Sequence, residues 1–179
     1  MKKNLEPIIL IDKNRLQEIY NLRVTAYENS LKNNFVNKRL YTDGLFDDLD
    51  KKNNTIHWII EDNNKIIASA RVAIIENHED FKDFKVEIDS NKINTPFAYF
   101  SRLAIHQGYR RIGLAQKLDE IRVNYLKDNK NISLTIAACT KNRDQALIKY
   151  GFKFSNHYNF KMHGKFEGIE HSIYYLLLN

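Results

Sequence analysis

The 179-residue chain has a single cysteine, Cys139, which excludes an internal disulfide and any cysteine-based zinc cluster. It has two prolines and six glycines, too few for a disordered or collagen-like chain. No run of five like charges occurs, so no acidic or basic tail is expected. The early apolar run Ile8 to Ile11 is too short for a signal-peptide core or a membrane span. The sequence therefore reads as soluble and cytoplasmic. The histidines lack spacings such as His-x-x-x-His, so no metal site is expected. Basic residues do not interleave with aromatics as a nucleic-acid stripe would, except loosely around Lys153 to Lys165, and nucleic acid is not the expected partner.

What is present is ordinary globular material. Hydrophobic residues make up 43% and charged residues 28%, and ten Tyr and ten Phe supply core volume. This length suits one domain, residues 1–179, with one sizeable core. Net charge is +6. Such a balance fits an anionic cofactor, an acidic carrier protein or nucleic acid, and equally a surface of scattered lysines.

Periodicity gives a coarse element order. Residues 14–31 read as a helix with Leu16, Ile19, Tyr20, Val24, Tyr27 and Leu31 on one face. Residues 32–54 are polar, and Phe46, Leu49 and nearby acids suggest a short helix. Ile56–Ile60, a turn at 62–65 and Ile66–Ile75 form a predicted hairpin. A charged connection spans 76–95. Phe97–Ile105 reads as a strand and Leu114–Leu126 as a helix with Leu114, Leu118, Ile121 and Tyr125 on one stripe. Ile132–Ala138 reads as a buried strand. Asn142–Tyr150 reads as a short helix, with Asn142 and Gln145 at capping-box spacing and Gly151 as its terminator. Phe152–Met162 and Ser172–Leu178 are the last predicted strands. Long apolar strands beside crossover helices point to an α/β fold with a covered sheet.

Between the strand at 97–105 and the helix at 114 lies Arg110-Arg111-Ile112-Gly113-Leu114-Ala115. The first amides of a helix lack partners within it, and the helix dipole favours an anion there. Gly113 permits close backbone approach, and two arginines add charge. The turn is built to hold a phosphorylated ligand.

These residues also resemble a known family. Arg110 to Ala115 matches the Arg/Gln-x-x-Gly-x-Gly/Ala signature of the GCN5-related N-acetyltransferase (GNAT) superfamily. Ser101 to Ile105 and Tyr109 fit ahead of it. Downstream, Asn142-x-x-x-Ala146 with Tyr150-Gly151-Phe152 is similar to the family's Asn-x-x-Ala…Gly-Phe segment, one residue longer in its first spacing. The resemblance covers about residues 14–178. It implies a mixed, mostly antiparallel twisted sheet with helices on both faces and splayed parallel central strands. It implies that acetyl-CoA, or another acyl-CoA, is the co-substrate. The pantetheine arm would pair near Leu103, Ala104 and Ile105. Arg110, Arg111, Ile112, Gly113, Leu114 and Ala115 would seat the pyrophosphate, and Asn142 would orient the pantetheine. The acceptor would be a small-molecule or peptide amine, and the chain a monomer or homodimer.

The implied chemistry is acyl transfer to a primary amine by direct attack, with a proton donor for the departing thiolate. The family's usual donor, a Tyr four residues before the Gly of the Gly-Phe pair, is Leu147 here. Tyr150 is the nearest substitute, or a core aromatic. Tyr99 and Ser101 alternate on one strand face with Leu103, where a thioester would lie; Ser101 equally suits an ordinary strand serine. Arg102 suits an acidic substrate group or a carboxylate partner. Cys139 suits a thioester or a buried small residue, and Glu61 a base acting through water or a solvated acid. His106 stands where it would hydrogen-bond beside the turn. Phe46-x-x-Leu49, Ala70-Arg71 and Ser101-Arg102-Leu103 resemble autoinducer synthases and N-acyl amino acid synthases, relatives within the same fold group. That resemblance implies a longer-chain donor, from CoA or an acyl carrier protein. The missing Tyr also leaves open a non-catalytic acyl-CoA-binding sensor.

Overall fold

The computed structural model describes residues 5–28, 36–81, 93–160 and 169–178. The helix expected beyond Glu28, with Leu31, the middle of the 76–95 connection, Met162 and Lys165 lie outside these residues. The elements are β1 (Ile8–Ile9), α1 (Leu16–Glu28), β2 (Thr55–Asp62), β3 (Lys65–Ile75), β4 (Phe97–Ile105), α2 (Leu114–Asp128), β5 (Leu134–Cys139), α3 (Asp144–Lys149), β6 (Lys153–Phe160) and β7 (Ile169–Leu177). The strands form a seven-stranded sheet in the order β1-β2-β3-β4-β5-β7-β6. β1 pairs antiparallel with β2, and β7 with both β5 and β6, while β4 and β5 run parallel. This is the expected mixed, mostly antiparallel α/β sheet.

The chain divides into two compact units, and β3 and β4 each run from one into the other. The first holds residues 1–71 and 102–122. Its core is Ile19, Tyr20, Leu22 and Ala26 of α1 with Ile59, Ile66 and Ala104. The β2–β3 turn is Asn63-Asn64, both at positive φ (50° and 62°), the geometry a two-residue hairpin needs and asparagine tolerates. The loop before β2 is clamped to α1. Leu45 N–H donates to the Tyr20 carbonyl, and a Cβ on Gly44 (φ +85°) would stand 2.5 Å from Tyr20 Cβ. Only glycine permits that approach.

The second unit holds residues 72–101 and 123–179. Its strands bury Ile136, Ala137, Ile173 and Tyr174, and the rings of Phe100 and Phe152 pack at 5.5 Å. Phe81 sits edge-on to Phe97 and Tyr99.

Local readings differ from the structure at three places. β1 was not anticipated, since two residues carry no period. The stripe on α2 is rotated: Ile121 is 37% exposed, whereas Arg122 is buried and donates to the Leu118 and Arg71 carbonyls and to Asp119. Satisfying a guanidinium in this way lets a charged residue replace an apolar one inside. The expected capping box at Asn142 is replaced by a 3-10 turn over Lys141–Arg143, and α3 starts only at Asp144. Gly151 does end α3 at φ +90°, with its N–H and that of Phe152 bonded back to Ile148 and Leu147.

Candidate functional site

The signature turn lies in the first unit. Arg111 (φ 65°) and Gly113 (φ 88°) both adopt the left-handed region, and Ile112 between them is exposed. Among the described residues, no backbone acceptor binds the N–H groups of Arg111, Ile112, Gly113, Leu114 or Ala115. Left-handed residues in such a run turn successive N–H groups toward one concavity, which binds anions. The start of α2 adds its dipole. A Cβ on Gly113 would meet no protein atom within 4 Å, so the space over the glycine is open.

The two arginines of the turn divide their work. The Arg110 guanidinium turns inward, donating to Ala26 O at 2.6 Å and Ile105 O at 3.4 Å. It thereby satisfies a carbonyl in the last turn of α1. Arg111 is exposed. His106 orders the approach: its Nδ1 accepts from Gly108 N–H, and its backbone N–H donates to Ile67 O at 2.8 Å. Tyr109 Oη donates to Asp62 at 2.7 Å. Glu61, a candidate base, forms an ion pair with Arg15 at 2.6 Å.

The same unit contains a buried ionic cluster that the sequence reading did not assemble. Arg23 on α1 forks onto Asp50, Nη1 to Oδ2 at 2.7 Å and Nη2 to Oδ1 at 2.9 Å. Arg71 on β3 donates to Asp50 at 2.9 Å and also to Asp47. Arg102 on β4 donates through Nη2 to Asp47 Oδ2 at 2.6 Å. Three guanidinium groups face two carboxylates, leaving one excess positive charge. Burial alone would raise both carboxyls, but the surrounding guanidinium groups overcome it and hold both below the usual range. His57 lies at the floor, Nε2 3.2 Å from the Asp50 carbonyl. Burial, reinforced by Arg23, lowers its pKa to about 4, so it is neutral at pH 7. One sequence signal does point to this cluster: Arg71 interrupts the apolar run of β3, and a buried arginine requires a carboxylate.

Arg102 has φ +58°, and its side chain is 26% exposed. An arginine held in the left-handed region is strained, and such strain collects at functional positions. It also interrupts the strand alternation expected to align Leu103 with Tyr99 and Ser101.

In the second unit, β4 and β5 pair from Ala98↔Thr135 to Phe100↔Ala137. β5 continues through Ala138 and Cys139 with β7 as its partner, opposite Ile173 and Ser172. Among the described residues, Phe100↔Ala137 is the last pair of the parallel register. Ser101 and Tyr99 are buried there, Tyr150 is half-buried at the end of α3, and Asn142 is exposed. Leu147 is buried at 2% exposure. Cys139 Sγ donates to Asp144 Oδ1 at 3.4 Å. Among the described residues no cluster of His, Cys, Asp and Glu is arranged for a metal, and no helix is long and apolar enough to cross a membrane.

Residues 16–152 match the model of the Acetyltransferase (GNAT) family. No curated protein matches the sequence. Solved structures are similar in fold at low identity. Escherichia coli ElaA superposes with a TM-score of 0.64 at 14% identity, covering 96% of this chain and 99% of that one. FeeM, an N-acyl amino acid synthase from uncultured soil microbes, gives 0.64 at 10%, covering 96% and 90%. Arabidopsis thaliana NAA60 in complex with acetyl-CoA gives 0.58 at 14%, covering 98% of each chain.

Proposed function

Because the chain belongs to the GNAT acetyltransferase family, we propose that it is a cytoplasmic N-acyltransferase moving acetyl from acetyl-CoA to a primary amine by direct attack. The observation that carries this reading is the turn from Arg111 to Ala115, whose run of N–H groups lacks backbone acceptors among the described residues and lies over an open glycine. It fits a pyrophosphate. Leu103, Ala104 and Ile105 on β4 offer backbone groups to the pantetheine arm, and Asn142 a polar side chain. The bound thioester supplies an activated acyl group. A backbone N–H of β4 stabilises the oxyanion, and Tyr99 and Ser101 shape the acyl end of the site. The attacking amine must be neutral, so its proton leaves to water.

Calorimetric titration with acetyl-CoA and longer acyl-CoAs tests this reading, with binding expected. Gly113→Val should weaken CoA binding at least tenfold, because its side chain enters the space over the turn. Equal binding by the variant would remove the turn from the site. A thiol-release assay against an amine library separates enzyme from sensor: tight CoA binding without transfer to any amine favours the sensor.

A second reading is favoured by the ionic cluster. Asp47, Asp50, Arg71 and Arg102 lie in or beside the segments resembling autoinducer and N-acyl amino acid synthases, and FeeM shares the fold. Under this reading the donor is a longer acyl chain, from CoA or an acyl carrier protein. Tighter binding of long-chain acyl-CoA than of acetyl-CoA would select it.

A further inference from the structure

Of the three arginines in the ionic cluster, Arg102 alone reaches solvent. Its side chain is 26% exposed, whereas those of Arg23 and Arg71 are fully buried. Asp47 grips one edge of its guanidinium, with Nε and Nη2 both donating to Oδ2. That anchor fixes the long side chain before any ligand arrives, and donors held in place bind more tightly than mobile ones. The backbone is set as well, at φ +58°. An ion pair does not require such a backbone: Arg23 and Arg71 reach their carboxylates without a positive φ. Strain beyond what the fold needs collects where a ligand is held. The field at this place favours an anion. Its guanidinium groups keep Asp47 ionised below the usual carboxylate range although burial opposes them, and His57 beneath is neutral at pH 7.

We propose that the amine acceptor carries a carboxylate and that Arg102 binds it, which makes the acceptor an amino acid rather than a plain amine. This rests on the acyl-transfer reading above. Arg102 directly precedes Leu103, Ala104 and Ile105 on β4, and the signature turn lies beyond them in the same unit. With the pyrophosphate at that turn and the pantetheine arm along residues 103–105, the reactive end of the arm lies toward Arg102. A guanidinium fork matches the two oxygens of a carboxylate. In an α-amino acid one carbon separates carboxylate from amine, so holding the first also fixes the place of the second. Arg102 is then a specificity-determining residue: it selects the acceptor and orients the amine, and takes no part in proton transfer.

The test is thiol release by the unaltered chain from acetyl-CoA and from dodecanoyl-CoA, with α-amino acids, their own carboxamides and plain amines as acceptors. The amine of the carboxamide is the less basic, so at neutral pH more of it is ready to attack, and a preference for the acid reflects binding. For the best acceptor pair, kcat/KM should favour the acid at least about tenfold, the scale of a lost charge-assisted contact. Arg102→Gln should shrink that ratio to within about threefold of one. Arg102→Lys keeps a cation beside Asp47 and covers the case in which the glutamine variant fails to fold. Lacking the fork, it should still reduce the ratio at least about threefold. Damage to the fold alone would slow both substrates and leave the ratio where it was. Transfer to carboxamides or plain amines as readily as to acids, or a ratio untouched by the replacements, overturns this inference alone. No CoA binding, or no transfer to any amine, overturns the acyl-transfer reading beneath it.

Discussion

Asp47 Oδ2 accepts from both Nε and Nη2 of Arg102, at 3.2 and 2.6 Å, while its other oxygen accepts from Arg71. One carboxylate on a loop thus holds two strands' arginines and fixes a left-handed residue within β4. Asp47→Asn removes that charge and leaves both guanidinium groups under-compensated. We expect a loss of about 2–3 kcal/mol, below the roughly 3–5 kcal/mol for breaking a fully buried pair, because Asp47 is partly exposed. Urea unfolding checks this, and a change below about 0.5 kcal/mol would show that the loop does not hold Arg102.

Asp50 is fully buried and takes bonds from Arg23 and Arg71. Asp50→Asn should cost about 3–5 kcal/mol. Both carboxyls have lowered folded-state pKa values. Their stabilisation is therefore full above the unfolded pKa near ~3.9 and is lost as pH falls below it. Chemical denaturation at pH 7 and pH 3 should show the two aspartate variants closer to wild type at the lower pH. A constant gap would contradict the assignment.

His57 contributes in the opposite region. Its folded pKa, about 4, lies below the unfolded value near ~6.5. Between those values the unfolded chain binds a proton that the folded chain refuses. Stability should fall by as much as about 3 kcal/mol from pH 7 to pH 4 on this account. His57→Gln keeps a donor for the Asp50 carbonyl and should flatten that slope. An unchanged slope would move its origin elsewhere.

Gly44→Ala places a methyl 2.5 Å from Tyr20 Cβ and 2.9 Å from its backbone carbon, at φ +85°. Overpacking and left-handed strain together should cost at least about 2 kcal/mol. Thermal melting reads this directly. A wild-type melting temperature would mean that the loop slides off α1 at no cost.

Local chemistry was legible in the sequence wherever one short segment carried it. The hairpin from Thr55 to Ile75 follows from β-rich runs about Asn63-Asn64, and the signature turn follows from glycine between strand and helix. The Gly151 terminator was equally plain. The ionic cluster was not, because Arg23, Asp50 and Arg71 are separated by more than twenty residues and only the tertiary fold joins them. Arg122 was hidden for the same reason: hydropathy favoured Ile121 for the interior, but hydrogen bonds to Arg71 O, Leu118 O and Asp119 outweighed it. The positive φ of Arg102 had no signal either, since Ser-Arg-Leu-Ala-Ile reads as plain strand.

Arg110 ties the signature turn to the end of α1 through Ala26 O. Its Nη2 is committed to that carbonyl and its Nε to Ile105 O. Under the proposed function, attraction for the anion would come chiefly from Arg111 and from amide dipoles, which act at short range and are screened less than exposed charges. Dependence of CoA affinity on ionic strength should accordingly be that of one turn arginine. Arg110→Gln should leave that dependence nearly unchanged while lowering affinity, whereas Arg111→Gln should flatten it.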